Sequence, residues 1–142
     1  MAIVLDGNNL TTTGILNSAT VQTASGTAVD FTGIPFGVKR VTVMFSGVSS
    51  SGTSIWLLRL GTSGGFTTTG YSGVTWYSGS YYNSGTTGMA VMGSSTAASS
   101  YYGNMMLTLV DPGSNIWTEF GNVGDPVQAQ IAFSPSSWGV TL

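Results

Sequence analysis

The chain has 142 residues, 42 % of them hydrophobic and 11 % aromatic, with a mean hydropathy of +0.27. That much apolar surface offsets the chain entropy of one domain, so the abundance of Gly, Ser and Thr does not imply disorder. Only 6 % of residues are charged, the net charge is -2, and there is no Cys, which excludes disulfides, thiolate chemistry and the field of cations that nucleic acid requires.

In chain order, residues 1–18 (MAIVLDGNNLTTTGILNS) hold a short apolar strand at 3–5 and then polar turn-formers, the pattern of an N-terminal arm that packs on a neighbour. The opening residues lack the basic residues and long apolar stretch of a secretory leader. No uncharged apolar run is long enough to span a bilayer, so no membrane insertion is expected. ATVQT and TAVDF flank the turn ASG and predict a hairpin.

In VKRVTVMFS, Val41, Val43 and Phe45 share one face and Arg40, Thr42 and Met44 the other; in IWLLRL, Ile55, Leu57 and Arg59 oppose Trp56, Leu58 and Leu60. Joined by SSSGT, the two runs predict a central hairpin apolar on both faces. The three basic residues of the chain, Lys39, Arg40 and Arg59, all lie here. Their stems would cover apolar surface at the hairpin ends, or one guanidinium would pair with an acid across a subunit boundary. Arg40, Met44, Trp56, Leu58 and Arg59 are therefore the candidate subunit contacts.

From Gly61 to Gly103 the chain sets aromatic residues in a Ser/Gly/Thr matrix without any charge. No exact repeat emerges, which argues against a solenoid. Rigid rings among small polar residues make a binding-loop composition, equally suited to packing on a partner subunit. Tyr71, Trp76, Tyr77, Tyr81, Tyr82, Tyr101 and Tyr102 are the candidate ligand or loop contacts. TGMAVMG (87–93) adds a short strand signal.

NMMLTLV (104–110) and NIWTEFG (115–121) flank DPGS, where Pro112 fixes φ and Gly113 is expected to take a positive one. PVQAQIAF (126–133) alternates, with Val127, Ala129, Ile131 and Phe133 inward and Gln128 and Gln130 outward. SPSSWGVTL ends in the middle of a strand pattern, so the natural chain is expected to continue past Leu142. Short strands punctuated by Gly and Ser, without helical periodicity, predict an all-β fold: an antiparallel β-sandwich or jelly roll over 19–142 behind the arm.

Catalytic groups are scarce. Without His or Cys, the usual base and the commonest transition-metal ligands are missing. Asp6, Asp111 and Asp125 stand in turn contexts, while Asp30 and Glu119 fall in predicted strands. Counting across the DPGS turn puts Glu119 opposite Leu107, with no second acid to complete a glycosidase pair. No serine stands out as a partner for Lys39, and no D-x-D-x-D-G run offers a calcium loop. Neither an enzyme nor a cofactor is expected.

Two stretches carry a resemblance. MAIVLDGNNLTTTGILNSATV resembles the N-terminal arms of bacteriophage tail-fibre and other virion structural proteins, with their I-x-L-x-G strand and Thr/Gly run. VDFTGIPFGVKRVTVMFSGVSSSGTSIWLLRLGTSGG (29–65) resembles a phage structural family with a DFTGIP-x-GVKRI core and an LGTSGG…TTGY loop, here at Asp30–Arg40, Leu60–Gly65 and Thr68–Tyr71. The resemblance covers a little under half of the chain and implies a β-rich virion protein that assembles with copies of itself, often as a homotrimer, and with other virion proteins. No catalytic or ligand residues carry over from it. The alternative expectation is a carbohydrate- or receptor-binding module at a fibre tip, with Trp76, Tyr77, Tyr81 and Tyr82 stacking on a host-surface glycan.

Overall fold

The computed structural model describes residues 20–77, 80–82, 86–93, 95–126, 130–134 and 140–141, with backbone alone for Tyr77, 80–82, 130–134 and 140–141. The chain divides into two units, Met1–Ile34 and Pro35–Leu142. The arm expected over 1–18 lies outside the described residues. In the rest of the first unit, the turn at Gly26–Thr27 forms with Gly26 at φ 71°, but residues 20–34 are exposed and hold no strand. The hairpin expected around ASG is therefore corrected to a turn without a ladder. The unit's described apolar residues Val21, Val29, Phe31 and Ile34 stand exposed.

The second unit is all β. Its strands are β1 (Arg40–Val48), β2 (Trp56–Leu58), β3 (Gly61–Thr62), β4 (Gly65–Phe66), β5 (Thr75–Tyr77), β6 (Ser80–Tyr82), β7 (Met89–Met92), β8 (Tyr101–Asp111), β9 (Ile116–Asp125), β10 (Gln130–Ser134) and β11 (Val140–Thr141). A seven-stranded sheet runs β1-β8-β9-β10-β5-β6, with β11 also on β9, while β2-β7 and β3-β4 form separate pairs. Every ladder is antiparallel.

The expected hairpin of β1 with β2 does not form. β1 pairs with β8 at the edge of the large sheet, and β2 pairs with β7 in another. The linker is a crossing held from the side. Ser95 Oγ lies 2.9 Å from Gly52 O and 3.0 Å from Ser54 O and accepts from Ser50 Oγ at 2.8 Å, while Ala98 N donates to Ser50 O. With its carbonyls tied to the 95–98 turn, SSSGT cannot close as a tight turn between neighbouring strands.

The β2-β7 pair packs on the inner face of β1, β8 and β9. Val91, Met92, Tyr101, Met105 and Val123 form one cluster, bordered by Phe45, Trp56 and Leu58; Tyr71, Met89, Ala90 and Leu107 form another, bordered by Val41, Val43, Leu57, Leu60 and Trp117. β7, a brief signal in the sequence, is buried at every residue.

The DPGS hairpin forms as expected, and Leu107 stands opposite Glu119. The left-handed residue of the turn is Asn115 at φ 51°, not Gly113; Asn tolerates that region because its short amide compensates locally. Asp111 Oδ1 accepts from Gly113 N at 2.9 Å and Ser114 N at 3.4 Å. Hydrogen bonding from the Ser114 side chain, then from these amides, holds the Asp111 carboxyl below its ordinary value of 3.8. A depressed pKa gives a contribution that is present above the unfolded value and lost as pH falls through the folded one. Asp111→Ala is thus expected to lower the thermal midpoint slightly at neutral pH, with the gap from wild type closing below pH 3.8; circular dichroism melts across acidic pH check it.

Candidate functional site

Alternation in β1, β8 and β9 sends Val41, Val43, Phe45, Met105, Leu107 and Val123 inward, and leaves the intervening residues on an outer face. Register aligns that face in rows: Arg40–Thr108–Thr118, Thr42–Met106–Phe120 and Met44–Asn104–Asn122, with Tyr102 beyond the last. Met44 is 80 % exposed, Phe120 59 % and Tyr102 47 %. Arg40 supplies the one charge in these rows. Large apolar groups among amides and hydroxyls suit a protein surface, and they offer little to an ionic ligand.

Of the five candidate subunit contacts, Arg40 and Met44 lie on this open face. Trp56 and Leu58 are half-buried and turn to the core of their own chain. The Trp56 ring stacks on Phe45 at 6.3 Å and meets Tyr101 edge-on at 5.2 Å. Arg59 is exposed and its Nε donates to Thr87 O at 2.8 Å.

The aromatic candidates do not share one platform. Tyr71 is buried, its hydroxyl accepting from Leu60 N at 2.9 Å and donating to Thr67 O at 3.1 Å, and burial pushes its phenol above the ordinary 10.0. Tyr101 is fully buried, with its hydroxyl accepting from Thr96 N at 2.7 Å. Trp76 is half-buried in β5, opposite Tyr81 and Phe133. Tyr77, Tyr81 and Tyr82 are placed by backbone in β5 and β6, and their side chains lie outside the described residues. Tyr102 is exposed, with its hydroxyl 3.5 Å from where a Cβ on Gly47 would stand.

Glu119 and Asp125 are buried on the inner side of β9, a burial that counting across the turn did not reveal. The alternation Trp117, Glu119, Gly121, Val123 carried that signal. Six residues of strand separate the two acids by roughly 20 Å, about twice the span of an inverting glycosidase pair. Among the described residues no three His, Cys, Asp or Glu gather as metal ligands. No family model matches the chain, and neither a curated protein nor a solved structure shows detectable similarity to it.

Proposed function

We propose that this chain is a structural component of a bacteriophage virion: a β-sandwich with an N-terminal arm that works by assembling with copies of itself and with other virion proteins, in a fibre, a head decoration or a tail appendage. The observation that carries the reading is the open face of β1, β8 and β9, where Met44, Phe120 and Tyr102 stand exposed around a single cation. In a chain with 6 % charged residues, little repulsion opposes contact between copies. The packing of β2-β7 on the large sheet supports the sandwich, and the sequence resemblance supports the phage setting. A catalytic role has no support from the acids of β9. The glycan-binding alternative rests on Trp76, Tyr77, Tyr81 and Tyr82, of which Trp76 is half-buried and the other three have side chains outside the described residues.

Sedimentation velocity of the full chain over a concentration series tests the assembly. Species larger than the monomer are expected, and Phe120→Asp, a charge on the outer face, should weaken association at least about tenfold while the thermal midpoint holds. A wild-type monomer at every concentration overturns the reading. Antibody labelling of intact particles tests the virion location.

A further inference from the structure

We infer that the free edge of β1 pairs with β1 of a second copy, antiparallel and across a two-fold axis centred on Val43. The inference rests on the assembly reading and adds an edge contact to the face contact proposed above.

Leu109 N donates to Lys39 O at 2.9 Å, and Arg40 stands opposite Thr108. Lys39 and Leu109 therefore form a hydrogen-bonded pair, and alternation along an antiparallel ladder makes Val41, Val43 and Phe45 the next on β1. The backbone N–H and C=O groups of Arg40, Thr42 and Met44 point the other way, and among the described residues no strand pairs with them.

Natural edge strands are blunted by brevity, by proline or by inward charge. The far edge of the sheet follows that rule, since β6 has 3 residues. β1 does not: it has 9 residues, no proline, and its one charge at the very start. Its register irregularity comes only after Phe45, leaving the stretch from Arg40 to Phe45 fit for pairing.

A second copy fits this edge. With Val43 facing its own mate, Thr42 meets Met44, so the outward donors and acceptors of these two residues in each copy satisfy those of the other. Val41 meets Phe45 on the inner face, and the exposed Met44 gains a neighbour on the outer one. The two Arg40 residues fall at opposite ends of the ladder, roughly 20 Å apart, beyond the screening length of physiological salt. An isologous contact closes at two copies, in place of the trimer that the resemblance to fibre proteins implies.

The chain contains no cysteine, so introduced thiols report directly. Val43 would lie in a non-hydrogen-bonded pair with its mate, where Cα atoms stand about 4.5 Å apart, within reach of a disulfide. Under mild oxidation of the full chain, Val43→Cys is expected to give a covalent dimer, and Ser46→Cys, distant from its mate, is not. Thr42→Pro removes an outward N–H without taking one from the β8 ladder, and should weaken association at least about tenfold by sedimentation. Equal cross-linking by both cysteine variants, or by neither, with Thr42→Pro associating as wild type does, overturns the β1 contact. If Phe120→Asp still splits the assembly in that case, assembly itself survives. A wild-type chain that stays monomeric overturns both.

Discussion

Gly121→Ala lowers the thermal midpoint by roughly 10 °C, the result expected when a methyl group is forced between the two longest strands. Gly121 in β9 faces Met105 in β8. A Cβ at Gly121 would stand 2.2 Å from Asn104 O, 2.7 Å from Met105 Cα and 2.8 Å from Met105 Sδ. The sulfur could swing aside. The carbonyl and the Cα cannot, because both belong to a strand fixed on its other side by β1. Overpacking of a core costs about 1–3 kcal/mol, and contact with backbone on both counts puts this substitution at the upper end. Gly103 makes the reciprocal approach, its Cβ position 2.1 Å from Asn122 O, at φ 149°. Gly52→Ala is the control, with nothing within 4 Å of its Cβ position and an ordinary backbone; removing glycine freedom there leaves stability unchanged or a few tenths of a kcal/mol higher. Circular dichroism melts of the two variants decide the matter, and equal midpoints would refute the close approach of β8 and β9.

What was legible in the sequence follows the reach of each signal. The β8–β9 hairpin and its register could be read because the turn chemistry is local and the alternation on both sides of Pro112 is unbroken. The faces of β1 could be read for the same reason. Its partner could not: alternation says which residues share a side but not which strand lies beside them, and the nearest candidate in sequence, β2, belongs to another pair. β7 gave little notice because a run as short as MAVM has no period to measure. Tyr101 and Tyr102 entered as equivalent ring-bearing candidates, although adjacent strand residues must face opposite sides. That constraint alone meant one of the two had to enter the core. The open face is a different matter. Met44 was visible as the apolar outlier on the outer side of β1, but Phe120 joins it only through the pairing of β1, β8 and β9, which no single segment encodes.

Tyr101→Ala is expected to cost about 3–5 kcal/mol, the range for truncating a large ring in a closed core, and to unfold the protein well below the wild-type midpoint. The side chain is fully buried among Val91, Met92, Met105 and Val123, and its ring meets Trp56 edge-on at an interplanar angle of 74°. Removing it opens a void shared by β2, β7, β8 and β9, where collapse from one side would break packing on another. Tyr101→Phe separates the hydroxyl from the ring. It deprives Thr96 N of its acceptor, but Thr96 is exposed and water can take over, so the cost falls to about 1 kcal/mol. A ligand-binding Tyr101 would show the reverse pattern, with an unchanged midpoint in both variants and the loss confined to binding. Trp56 follows the same logic at smaller scale. Half-buried against Phe45 and Tyr101, it acts within its own chain, so truncating it should appear first in unfolding and only through unfolding in the association of copies.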